Sequence, residues 1–206
     1  LKITENFIYD IYKKSYTTKE LRGKDRQHTI NQAIVNSLLG TENYVGCNFK
    51  EEIKVDSVWP EDGEFRVDIC VYKDGKLIEI ILIKAICSNW KQNKNNYYNN
   101  MSGEVNRIDI DDIKVTFVNF LPNCVPYFTK GEIISGFEKT KVEFIFKPRS
   151  CYNKNVSEIY VTFDIENVQS CSSKKEVKEM LMKSNPISNV ELHINNYIKP
   201  TIIYHV

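Results

Sequence analysis

The 206-residue chain is short of several things, and each shortage narrows what it can be. It has only eight glycines and six prolines, too few for long disordered linkers. Its three histidines, His28, His193 and His205, show no HxH or HxxxH spacing, so nothing points to a histidine metal site. Its six cysteines, 47, 70, 87, 124, 151 and 171, include no CxxC pair; a zinc ribbon is not expected, and all six read as reduced thiols. There is no GxSxG nucleophile elbow, no P-loop and no dinucleotide-binding glycine motif, which removes several enzyme classes. No apolar run approaches the roughly 18 residues of a membrane span. No h-region follows Leu1-Lys2-Ile3-Thr4, so no secretory signal is read there, and a chain opening on Leu1 reads as trimmed. The expected location is cytoplasmic, or nuclear or otherwise inside a host cell. An excess of charge is missing too: 28 basic against 27 acidic residues leave +1. Phosphate binding depends on local clustering rather than a global excess, so this neither favours nor excludes a nucleic-acid partner.

What the chain does have is an ordinary globular composition, 42% hydrophobic and 27% charged, with 12 Tyr and 10 Phe. Phe7, Ile8, Ile11 and Tyr12 fall at helical spacing within 4–16. A second helix is predicted over 25–39, with Ile30, Ala33, Ile34, Ser37 and Leu38 on one face and Gly40 as its stop. Alternation then predicts a strand over 49–56 and another over 64–73, followed by Asp74-Gly75, a strong hairpin signal, and a nearly all-apolar strand over 77–85. An Asn-rich helix is read over 88–108 with Ser88 as cap, then a strand over 113–121. Beyond Pro122 the reading is a short helix at 131–138, strands at 141–147 and 157–165, a helix from Ser172 or Ser173 to Met182, and a terminal β segment at 189–205. The expected fold class is α/β (α+β by some conventions), a central mixed β-sheet flanked by helices. Residues 1–121 are expected to form a core with N-terminal helices and 122–206 an α+β extension for recognition or dimerisation.

Two residues carry chemistry within this pattern. Asp68 lies in the second strand, on the face of Arg66, Cys70 and Tyr72 if alternation is regular, and Lys84 lies in the third with Leu82 and Ile80. Charged groups in such apolar strands are costly unless they are used. A helix, a hairpin supplying an Asp and then a Lys, a helix and a fourth strand together resemble the core of the PD-(D/E)XK nuclease superfamily. The resemblance covers about residues 25–121. It implies Asp68 as first acid and metal ligand, Lys84 as the motif lysine that orients or deprotonates water, and the backbone carbonyl of Ile83 as a further ligand. It also implies a divalent ion, Mg2+ or Mn2+, that activates water and offsets charge on the phosphate.

The pattern departs from the family at one place. Two residues before the lysine, where the family carries Asp or Glu, this chain has Leu82, and Glu79 falls on the opposite face of a regular strand. Glu104 is the candidate for a relocated acid. The helix after Lys84 offers Lys91, Gln92, Lys94, Tyr97 and Arg107 for nucleic-acid contact, Gln92 and Tyr97 being similar to the Gln and Tyr the family often carries there. Two expectations follow. One is a metal-dependent DNA endonuclease, impaired if Leu82 is a lesion, with DNA as partner and a homodimer as its working form. The other is a non-catalytic nuclease-like module that binds nucleic acid or a protein partner. Against both stands the plain reading that Asp68 and Lys84 form a structural ion pair across a hairpin.

Overall fold

A computed structural model describes residues 3–17, 24–59, 61, 63–140 and 152–198, except the side chains of 24–26. Two helices open the chain, α1 (Glu5–Thr17) and α2 (Lys24–Leu38). α1 buries Ile8, Ile11, Tyr12, Ser15 and Tyr16, the i, i+3, i+4, i+7, i+8 stripe of a helix laid on a core. Strands β1 (Cys47–Asp56), β2 (Glu64–Lys73) and β3 (Lys76–Ala85) follow as an antiparallel meander. Asp74 and Gly75 both take positive φ, +50° and +76°, as a primed two-residue turn requires.

Helix α3 (Trp90–Arg107) crosses from β3 to β4 (Lys114–Pro122), which pairs parallel with β3. Asn89, not Ser88, precedes the first turn. Its side chain exchanges two hydrogen bonds with the backbone of Phe128, and the Glu138 carboxylate accepts from the Lys91 N–H. A small hairpin comes next, β5 (Cys124–Phe128) with β6 (Ile134–Lys139). The helix expected at 131–138 is therefore a strand. Ile133, Ile134 and Phe137 imitate helical spacing, but Ser135 and Gly136 are weak helix formers, and pairing to β5 decides the outcome. The strand expected at 141–147 lies outside the described residues, as does the end of the terminal β segment.

β7 (Asn155–Ile165) pairs parallel with β4, and β8 (Ile187–Tyr197) pairs antiparallel with β7. Between them, α4 (Lys174–Lys183) is capped by Ser173, which accepts from the Glu176 N–H, while Glu176 accepts back from the Ser172 N–H. One mixed sheet results, in the order β1-β2-β3-β4-β7-β8. The fold is α/β, and the residues after 122 add two strands to the same sheet. Ile69, Ile81, Ile83, Val118, Phe120, Val161 and Phe163 face α1, α2 and α4; Val67, Cys70, Ile80, Leu82, Val115 and Phe117 face α3. Among the described residues no helix is long and apolar enough to cross a membrane.

Candidate active site

Asp68 does not sit in a regular strand. Before it, Phe65 and Val67 face α3; after it, Ile69 and Val71 face the opposite layer and Cys70 and Tyr72 face α3. The alternation slips by one residue at Asp68, so Asp68 does not share a face with both Arg66 and Cys70 as regular alternation predicted. β1 slips at the matching place: Phe49 faces α2, whereas Ile53 and Val55 face α3. Glu52, between the pairs Glu51↔Ile69 and Ile53↔Val67, has φ +52°, a left-handed conformation rarely found inside a strand. Such strain persists only where its surroundings enforce it, and it collects at functional sites.

The slip lies where β2 and β3 part, after the pair Ile69↔Ile81. The Asp68 carboxylate replaces the missing ladder: Oδ2 accepts from the Ile83 N–H at 2.6 Å. Oδ1 accepts from Gln27 Nε2 at 3.0 Å, so α2 reaches the site from the other layer. Gln27 also donates to Asn31 Oδ1, and Asn31, fully buried, donates to the Asp68 carbonyl at 3.1 Å and to Glu52 Oε1 at 3.4 Å. Every side chain that orients Asp68 is thus itself held.

Lys84 projects on the α3 side, where its Nζ meets Glu104 Oε1 at 2.7 Å. Among the described residues Lys84 pairs with Glu104 and not with Asp68, so the plain hairpin ion pair is not what forms. Glu104 Oε2 is buried with no hydrogen-bond partner. Burial pushes the Asp68 carboxyl up from 3.8 to about 6; the Ile83 N–H and Lys84 pull it down, while the Glu104 and Glu52 carboxylates push it further up. Asp68, Lys84 and Glu104 therefore share one electrostatic neighbourhood, with Glu52 at its margin.

Leu82 is 3% exposed, packed under α3 in the same cluster as Met101 and Val105. Glu79 is on the far face, with its carboxylate held by Thr116, Tyr44 and Lys114. Neither supplies an acid at Lys84; Glu104 does. The residues proposed for nucleic-acid contact divide. Lys91 and Gln92 are exposed on the first turn of α3, and Lys94 is half-buried in the next. Tyr97 packs against Trp90, ring centroids 6.1 Å apart, and lines a cavity of about 320 Å³ with Asn93, Asn96 and Asn100. Asn100 is one helical turn from Glu104. Arg107 lies at the other end of α3, its guanidinium 4.6 Å from the Phe65 ring centroid and 5.7 Å from that of Trp59, with Nε donating to Ser57.

The donors at Asp68 and Glu104 are hard oxygens, the class magnesium and manganese take. Glu104 Oε2 has no hydrogen-bond partner, whereas both Asp68 oxygens accept one, from Gln27 Nε2 and the Ile83 N–H. Among the described residues no three His, Cys, Asp or Glu converge as a metal-holding group. Magnesium commonly uses one or two carboxylates and keeps several waters, so a two-acid set fits it.

Sequence reading missed Gln27, Asn31 and Glu52. The signal for Asn31 was an amide in the Gln27, Asn31, Ile34, Leu38 stripe, one turn apart each, of a helix whose other stripe members are largely apolar. The strain at Glu52 has no counterpart in residue type. No family model, curated protein or solved structure matches the chain.

Proposed function

We propose that the chain is a metal-dependent nuclease of the PD-(D/E)XK kind, in which Glu104, from α3, takes the place of the acid that Leu82 lacks. The observation that carries this reading is the meeting of Lys84 with Glu104 at 2.7 Å beside Asp68. Asp68 and Glu104 would hold a divalent ion, which when bound supplies a Lewis acid for the phosphate and a more acidic water. Asp68 is aimed by Gln27 and the Ile83 N–H, so its oxygens are fixed before substrate arrives. Lys84 places positive charge where the phosphate gains negative charge, and its pairing with Glu104 Oε1 fixes where that charge stands. Lys91, Gln92 and Lys94, at the start of α3, are the groups proposed for the strand to track, with DNA as the proposed partner. A homodimer matched to a two-fold site belongs to the same proposal.

The test is cleavage of labelled single- and double-stranded DNA and RNA with magnesium or manganese, comparing the chain with Lys84→Ala and Glu104→Gln. Cleavage by the unmodified chain that either substitution removes supports the reading. Metal-stimulated cleavage that survives Lys84→Ala comes from another site or a contaminant. If no substrate is cut but DNA is bound with steep salt dependence, the non-catalytic binding module takes its place.

A further inference from the structure

β4 is apolar from Val115 to Leu121 apart from Thr116 and Asn119. Thr116 is accounted for by its hydrogen bond to Glu79. Asn119 is not: it is 2% exposed, and its Nδ2 has no hydrogen-bond partner. A buried amide N–H left unpaired opposes folding, and each such atom in a folded protein calls for an explanation.

Its position supplies one. Asn119 stands directly beside Lys84 in the β3–β4 register and beside Tyr160 in the β4–β7 register. The preceding pair Leu82↔Phe117 faces α3 and the intervening pair Ile83↔Val118 faces away, so Lys84 and Asn119 project to the same side. That is the side from which Glu104 reaches Lys84. The only two buried side-chain atoms without a partner among the described residues, Asn119 Nδ2 and Glu104 Oε2, therefore both neighbour Lys84. One is a donor and the other an acceptor. Water complements both at once, because it accepts from an amide N–H and donates to a carboxylate.

We propose that Asn119 Nδ2 and Glu104 Oε2 hold a water beside Lys84, and that Asn119 is a positioning residue for the attack on phosphorus. This rests on the nuclease reading above. The amide N–H occupies one lone pair of the water and leaves the other for phosphorus. In the step, the water oxygen forms a bond to phosphorus and the bond from phosphorus to the leaving ester oxygen breaks. One proton of the water passes to solvent, and the leaving oxygen takes a proton from solvent. Redox chemistry plays no part.

Two measurements test it. The first needs no activity: an atomic-resolution crystal structure of the wild-type chain, in which a water is expected within hydrogen-bond distance of both Asn119 Nδ2 and Glu104 Oε2. A dry site, or a protein acceptor on Nδ2, overturns the proposal. The second is steady-state cleavage by Asn119→Leu, which keeps side-chain size and removes the donor. Turnover is expected to fall by roughly tenfold or more with KM within about twofold, as for loss of a group acting on the nucleophile. The melting temperature should change by only a few degrees, since leucine is close to asparagine in size and the donor and its water leave together. Turnover within about twofold of wild type overturns the proposal whatever the crystal shows. If the wild type cuts nothing, the nuclease reading has failed and this proposal falls with it, an outcome distinct from a wild type and Asn119→Leu that both cut.

Discussion

Replacing Asp68 by Asn should stabilise the protein, and only above a particular pH. Burial holds the Asp68 carboxyl at about 6 in the folded chain against 3.8 as its ordinary value. Between those values the folded state binds more protons than the unfolded one, so wild-type stability falls as pH rises through the window and then levels off. The fall amounts to about 3 kcal/mol, at roughly 1.4 kcal/mol for each pH unit the window spans. Asparagine carries no charge and should show none of it. It does lose one acceptor: the Ile83 N–H and Gln27 Nε2 both donate to the aspartate, and the amide oxygen can serve only one well. That loss offsets about 1 kcal/mol, leaving a net gain of about 2 kcal/mol above pH 6. For a chain of this length the gain corresponds to a melting temperature higher by about 4–8 °C. Thermal melts of both proteins at pH 4 and pH 8 without divalent ions are the assay, with the two expected to converge near pH 4. A variant less stable than wild type at pH 8, or a difference independent of pH, would refute the account of Asp68 as a carboxylate held against its preference. With magnesium at pH 8 the order should narrow or reverse, because a cation stabilises only the form that binds it.

Three further outcomes follow from the packing. Leu82→Glu should restore nothing: it places a carboxylate in the cluster formed with Met101 and Val105, lowering stability by about 3 kcal/mol or more in denaturant melts. Increased cleavage by a well-folded Leu82→Glu protein would return the missing acid to β3. Arg107→Ala should cost about 1 kcal/mol in the same melts, through lost stacking on Phe65 and Trp59 and the lost Ser57 hydrogen bond. DNA affinity that drops while stability stays constant would instead make Arg107 a phosphate contact. Ser173→Ala removes the α4 cap and should destabilise by about 1 kcal/mol, with Ser173→Asp retaining most of the stability.

The central hairpin was legible because its signals agree: alternation in 64–73, Asp-Gly at the turn and an apolar run after it. α3 was legible despite its poor asparagine propensity because Trp90, Met101 and Val105 bury against the sheet and Asn89 and Glu138 hold its start. β6 was not, since Ile133, Ile134 and Phe137, three and four apart, fit a helix as well as a strand until β5 is there to pair with. Glu104 could be named from sequence only through the family resemblance, in which the acid can stand on the helix after the lysine. Its contact with Lys84 depends on how α3 crosses the sheet, which no local pattern records. Gln27 and Asn31 reach Asp68 across 41 and 37 residues, and the face slip at Glu52 and Asp68 is a backbone event that residue types do not announce. Asn119 was visible as the amide in Val115-Thr116-Phe117-Val118-Asn119-Phe120-Leu121, but its meaning appears only in register with Lys84.

Glu104 is proposed to serve with Asp68 as the second acid of a cation site beside Lys84. Manganese titration of the wild type, Asp68→Asn and Glu104→Gln, followed by electron paramagnetic resonance, tests this most directly. One saturable site is expected in the wild type, weakened at least tenfold in each variant while both remain folded, as loss of a metal-ligand carboxylate would produce. A site that survives Glu104→Gln unchanged, or a wild type that takes up no manganese, would contradict it.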